Sequence, residues 1–151
     1  MTAHRAPLWD ASTVRDFLRR EFPQEFGKGH YEIAKLTRSS IDMVLHASDH
    51  HLRPGGTVSG PSVMALMDCA AYALLIGRHG ETGKLAVTTG MSLSFLRKSG
   101  PGQLHCSIEF LKEGRTLTVV DARVWNADRT KLLAHGEFTY HLDLWEEDTV
   151  T

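Results

Sequence analysis

The sequence predicts one α+β domain in which an antiparallel sheet wraps around a single long central helix. Two observations carry that reading. From Val63 to Ile76 the chain runs through fourteen residues of which only Asp68 is not apolar, a length that suits a buried helix better than a strand. Six further segments have the length and composition of strands, two before this run and four after it.

The first element is a helix. Asp10 or Ser12 can cap a segment that runs through "TVRDFLRREF" and stops at Pro23. Val14, Phe17, Leu18 and Phe22 form its apolar stripe. Residues 1–28 make up this N-terminal helical segment and residues 30–142 the core of a single domain over 1–151. "HYEIAKL" and "SIDMVLHAS" read as two short strands, and "DHHLRPGGTVSGP" as a loop by its glycine and proline content. The central helix starts at Pro61, where the missing N–H would have been an orphan anyway, and runs to about Arg78 before Gly80 ends it.

Four strands fill the remainder. "LAVTTGMSLSFLR" is the first, and "LHCSIEFL" puts Leu104, Cys106, Ile108 and Phe110 on one face. In "TLTVVDARVWNA", Leu117 and Val119 stand opposite Val120, Ala122 and Val124, which predicts cover on both faces for part of its length. "AHGEFTYHL" turns Ala134, Gly136, Phe138, Tyr140 and Leu142 inward. "KEGRT" and "NADRTK" are tight hairpin connections with Gly114 and Asn126 supplying the turn chemistry. A helix apolar nearly all round is covered nearly all round. One sheet covers only part of it, so a homodimer or a dimer of dimers is expected.

Bulk composition narrows the function. At 151 residues, 42% hydrophobic and 23% charged, the chain suits one soluble domain with a real core. A net charge of -1 with scattered basic residues argues against a nucleic acid or an acidic membrane as partner. "MTAHRAPLWDASTVRDF" lacks the apolar stretch of a secretory signal, and the central apolar run reads as a core helix because it is short for a membrane span and carries Asp68. Cys69 and Cys106 form no CxxC pair and read as structural thiols of a reducing cytoplasm. His50 and His51 lack an HxxxH helix or an acidic partner at ligand spacing, so no metal is expected. "GPSVM" is not a serine-nucleophile elbow.

"HLRPGGTVSGPSVMALMDCAAY", then "LAVTTGMSLSFLRKSGPG", then "LKEGRTLTVVDARVWN" together resemble the hotdog-fold thioesterases of the phenylacetate-pathway (PaaI-like) type. The resemblance spans residues 33–142. In that family a loop N-x-x-G-x-x-H-G-G opens the central helix and an acid follows nine positions after the histidine. Here Ser59 holds the histidine position, Gly60 and Pro61 follow, Arg53 stands where the asparagine would be, and the acid is Asp68. The resemblance also implies that Thr88, seven residues before Phe95, helps to hold the attacking water. It implies an acyl-CoA thioesterase with coenzyme A thioesters as substrate and no further cofactor. Arg97, Lys98 and Arg115 are then candidates for the coenzyme A phosphates.

The chemistry can be read from the residues as well. A helix N-terminus presents free N–H groups and partial positive charge to a developing oxyanion. Gly60 lets a carbonyl approach the backbone and Pro61 donates nothing, so the Gly60 N–H is the best donor, with Ser62 beside it. Asp68 acts as general base or as nucleophile. Ser59 reads as the helix cap before it reads as a catalytic group. Arg53 reads equally as a solvated loop residue and as a contact to carboxylate or phosphate. Tyr72, one turn after Asp68, shares its face and lines an acyl pocket. Gly60 and Asp68 stand eight positions apart, roughly 12 Å along a helix, so a shared reaction requires two chains. The alternative from another class is a non-catalytic acyl-CoA binding module, favoured by the missing loop histidine and asparagine. A hotdog dehydratase would want a histidine beside the acid, and none lies near Asp68 in sequence.

Overall fold

The structure, a computed structural model, describes residues 6–142. The ends of the expected 1–151 domain lie outside the described residues. Helix α1 (Ala11–Glu21) starts where Asp10 accepts from the Thr13 N–H and buries Val14, Phe17 and Leu18. Pro23 opens a one-turn helix α2 (Pro23–Phe26). Strands β1 (Tyr31–Leu36) and β2 (Ser40–His46) follow, then the central helix α3 (Gly60–His79). Strands β3 (Val87–Phe95), β4 (Gln103–Glu113), β5 (Leu117–Trp125) and β6 (Leu132–His141) complete the order.

The six strands form one antiparallel sheet in the order β1-β2-β4-β5-β6-β3. Its inner face wraps α3, and the alternation about that helix is clearest in β4 and β6. Leu104, Cys106 and Ile108 of β4 are buried, as are Ala134, Phe138, Tyr140 and Leu142 of β6. On β5 the expected cover on both faces for part of its length is met where Val120, Asp121 and Ala122 are buried in succession. Thr118, Val120, Ala122 and Val124 face the helix and are buried, whereas Leu117 and Val119 are half-covered. On the outer face, between Val119 and Trp125, Asp121 is held by Arg123 at 3.1 Å and His135 at 2.7 Å. At the β5–β6 turn the Asn126 side chain accepts from the Lys131 N–H, as its turn role requires.

Helix α3 also departs from expectation. Its second half is buried within one chain, from Cys69 to Gly77 except Tyr72, because α1 packs on the side the sheet leaves open. The Trp9 N–H caps the Gly77 carbonyl there. By length and composition the segment Gly60–Leu85 would suffice to cross a membrane, but a helix sheathed in protein is the core of the fold. What stays open is one stripe on the N-terminal half: Pro61, Met64, Ala65, Asp68 and Tyr72. A second open apolar surface adjoins it at the free edge of the sheet, where Met91, Phe95 and Leu96 are exposed.

Gly136 of β6 stands opposite Leu93 of β3 on the inner face. A Cβ there would lie 2.7 Å from the Leu93 Cβ and 2.8 Å from the Ser92 carbonyl oxygen. The neighbour is backbone, so it cannot swing aside. Gly136→Ala is expected to destabilise the fold by about 1–3 kcal/mol, measured by urea unfolding; unchanged stability would show that β3 is not held against β6 as described.

Candidate active site

Asp68 sits on the open stripe of α3, and two strands deliver hydroxyls to it. Thr88 of β3 and Tyr140 of β6 are direct cross-strand partners. Both donate to the same carboxylate oxygen: Thr88 Oγ1 to Oδ1 at 2.8 Å and the Tyr140 hydroxyl to Oδ1 at 2.6 Å. The Tyr140 hydroxyl also reaches the Asp68 carbonyl at 3.4 Å. Tyr140 is only 1% exposed. Burial, reinforced by the Asp68 charge, pushes its hydroxyl far above the ordinary tyrosine range, so it remains a donor. Among the described residues no group bonds Asp68 Oδ2.

A β-bulge makes this convergence feasible. The β3–β6 register shifts between Thr88 and Gly90, inserting one extra residue. In a regular strand Thr88 and Leu93, five apart, would point to opposite faces. With the bulge, Thr88, Leu93 and Phe95 all face the helix.

Asp68 and Thr88 open into a cleft of about 310 Å³ lined by Phe22, Glu25, Ala65, Cys69, Tyr72, Ala86 and Tyr140 as well. The Tyr72 ring forms one wall, fixed because its hydroxyl donates to the Lys84 carbonyl at 2.9 Å. Cys69 adjoins the acid but is no rival nucleophile. Burial, with the charge of Glu25 next, pushes its thiol up to about 12, so it is protonated at neutral pH.

Gly60 lies in a different cleft, of about 380 Å³, together with Arg53, Thr57, Val63, Phe95, Arg97 and Lys98. The loop before the helix is tied down by backbone bonds: Ser59 N–H to the His51 carbonyl and Val58 N–H to the Ser99 carbonyl. Ser59 is the N-cap, its Oγ accepting from the Ser62 N–H at 3.2 Å and donating to the Ser62 hydroxyl at 2.9 Å. The Ser62 N–H is therefore engaged, and the Val63 N–H bonds the Ser59 carbonyl. Pro61 has no N–H. Among the described residues the Gly60 N–H alone in this turn meets no acceptor, and a Cβ on Gly60 would only touch the Phe95 ring at 3.5 Å.

The structure thus sorts the expected site residues into two groups. Asp68, Thr88 and Tyr72 share one cleft; Gly60, Arg53, Arg97 and Lys98 share the other, whereas Ser59 and Pro61 flank Gly60 at the helix start and line neither. Arg97 already donates to the Leu132 carbonyl at 2.8 Å. Arg115 joins neither cleft and is exposed in the β4–β5 hairpin. The rings of His30, His50 and His51 cluster, with His51 centred 4.8 Å from each of the others. His51 Nδ1 accepts from the Ser48 N–H, which gives it a part in shaping the loop, and no group of three His, Cys, Asp or Glu among the described residues is arranged to hold a metal. Tyr140 is the site residue that sequence reasoning missed. Its inward register was legible, and a buried tyrosine hydroxyl needs a partner, but the identity of that partner depends on the β3–β6 register.

Comparison with known proteins agrees with this architecture. The thioesterase superfamily model matches residues 55–133. A crystal structure from Silicibacter sp. TM1040, named as a candidate thioesterase, is 38% identical, with a TM-score of 0.81 over 91% of this chain and 94% of that one. Zebrafish thioesterase superfamily member 2 is 21% identical, with a TM-score of 0.77 over 89% and 99%. A hypothetical thioesterase protein of Streptococcus pneumoniae, crystallised with coenzyme A, is 20% identical, with a TM-score of 0.72 over 82% and 95%. A search of curated proteins found none that matches. The six-stranded antiparallel sheet around α3 is the hotdog fold, and the chain belongs to the thioesterase superfamily.

Proposed function

We propose that the protein is an acyl-CoA thioesterase working as a homodimer, alone or paired into a dimer of dimers, in which Asp68 of one chain and Gly60 of the other act on one thioester. The observation that carries this reading is the Asp68 carboxylate, fixed through Oδ1 by Thr88 and Tyr140 with Oδ2 directed to chemistry in an open cleft. The coenzyme A bound to the pneumococcal relative supports the donor class. Water attacks the thioester carbon while Oδ2 takes its proton, or Oδ2 attacks first and water then opens the anhydride. Both routes use the same oxygen. Negative charge on the carbonyl oxygen is met by the Gly60 N–H, the C–S bond breaks, and the thiolate takes up a proton. The Thr88 hydroxyl donates its hydrogen bond to Asp68 Oδ1, and its oxygen can still accept one from the water. No cofactor takes part. Arg53, Arg97 and Lys98 around Gly60 suit the coenzyme A phosphates.

Two chains are required because Gly60 and Asp68 lie eight positions apart on one helix, roughly 12 Å, and open into different clefts. The open stripe of α3 and the exposed apolar residues beside the free β3 edge support a twofold partner. The second reading, a non-catalytic acyl-CoA binder, is favoured by Ser59 in the loop, whose hydroxyl is engaged as the helix cap.

Thiol release from an acyl-CoA panel separates the readings. Asp68→Asn is expected to lower kcat by roughly 10²–10⁴-fold; binding without release, unchanged in Asp68→Asn, would favour the binding module. Tyr140→Phe removes a hydrogen bond to a charged group, about 1.5–3 kcal/mol, and is expected to lower kcat about ten- to hundredfold with little change in KM. An unaltered kcat would refute its part in holding Asp68.

The shared site has its own test. Gly60→Pro removes the N–H while suiting the extended backbone of Ser59 (ψ 153) before it. Inactive Gly60→Pro chains mixed with inactive Asp68→Ala chains are expected to regain activity, one working site per mixed dimer. Subunit exchange confirmed by mass spectrometry with no recovered activity would contradict a shared site.

A further inference from the structure

The N-terminal helices lie outside the stretch matched by the family model, residues 55–133, yet they help to build the Asp68 cleft. Phe22, at the end of α1, packs edge-on against Tyr72 with ring centroids 6.1 Å apart. Phe26 backs it at 5.9 Å and is buried. Glu25 of α2 lines the same cleft and is partly buried. Among the described residues its carboxylate has neither a hydrogen bond nor an ion pair. Its charge is felt by Cys69 and Tyr31, whose acidic protons it helps to retain after burial. Among the described residues, no lysine or arginine lines this cleft. Lys84, whose carbonyl anchors Tyr72, has its ammonium paired with Glu21 at 3.8 Å and Glu81 at 3.4 Å. The cleft therefore holds two carboxylates, Asp68 and Glu25, against aromatic and small apolar walls.

We propose that the α1–α2 segment is the acyl-selecting wall of this cleft: Phe22 limits acyl length, and Glu25 excludes acyl groups that carry a carboxylate of their own. The substrates are then thioesters of compact, uncharged acyl groups. The inference rests on the thioesterase reading above and deepens it. A third negative charge placed between Asp68 and Glu25 meets repulsion in a partly dehydrated site, where a unit charge about 6 Å away shifts binding by about tenfold at an effective dielectric near 40. An uncharged chain of equal length meets none. The aromatic pair stops a longer chain because the Tyr72 ring is pinned and Phe22 rests on buried Phe26.

The test uses two coenzyme A thioesters of equal carbon number, hexanoyl-CoA and adipoyl-CoA, which differ by a terminal carboxylate, together with decanoyl-CoA. The wild-type protein is expected to prefer hexanoyl- over adipoyl-CoA by tenfold or more in kcat/KM. In Glu25→Gln that ratio is expected to fall about tenfold, and in Glu25→Lys to fall further. In Phe22→Ala the ratio of decanoyl- to hexanoyl-CoA turnover is expected to rise at least fivefold, with folding checked by circular dichroism. Ratios unmoved in folded Glu25 variants would overturn the charge filter, and an unmoved length profile in folded Phe22→Ala would overturn the length limit, while activity on hexanoyl-CoA kept the thioesterase reading intact. Wild-type protein that releases thiol from none of the three would overturn that reading, and this inference with it.

Discussion

A carboxylate on a helix that is otherwise apolar from Val63 to Ile76 has to be held, and Thr88 and Tyr140 hold it. Their hydrogen bonds fall on one oxygen, at 2.8 and 2.6 Å. A side chain with two donors on Oδ1 has little rotational freedom left, so Oδ2 has a defined direction. The cost of an acid near the core is offset locally, and on the proposed reading the same contacts would orient that acid for reaction. Much of the surrounding fold follows from this need. The β3–β6 register sets the two hydroxyls side by side, and the bulge after Thr88 turns it to the face that Leu93 and Phe95 share. Gly136 lets β3 lie close enough for the pairing.

The second constraint is a length. One helix carries both the acid and the N-terminal N–H, and its rise keeps them roughly 12 Å apart. Each opens into its own cleft with its own character. The Gly60 cleft carries Arg53, Arg97 and Lys98, whereas the Asp68 cleft carries Glu25 and aromatic walls. On the proposed reading, the two clefts brought together from two chains would form one site, with a cationic end suited to phosphates and an apolar, acidic end suited to the acyl group. The polarity of the ligand then decides its orientation.

Much of this was legible in the sequence because it rests on local rules. Pro23, Pro61 and Gly80 mark helix ends by backbone chemistry, and the alternation in β4 and β6 reports the buried face directly. Asp68 stood out because nothing around it was polar. What stayed hidden depends on contacts distant in sequence. Tyr140 lies 72 residues from Asp68, and its partner emerges only from the register of β6 on β3. The bulge after Thr88 escapes a period-of-two reading, since it adds a residue without changing composition. The cover that α1 gives to α3 was assigned to a second subunit, because a helix apolar all round reports that it is covered but not by what. Phe22 was read as part of the α1 stripe, with no sign that it reaches the Asp68 cleft.

The claim on which the functional reading depends is that one thioester meets two chains. The most direct measurement is a crystal structure with a non-hydrolysable thioether analogue of hexanoyl-CoA that keeps a carbonyl oxygen. The expected result is that oxygen within hydrogen-bond distance, about 3 Å, of the Gly60 N–H of one chain, with Asp68 Oδ2 of the other chain facing the carbonyl carbon. An analogue whose carbonyl meets Gly60 and Asp68 of the same chain, or neither of them, would contradict it.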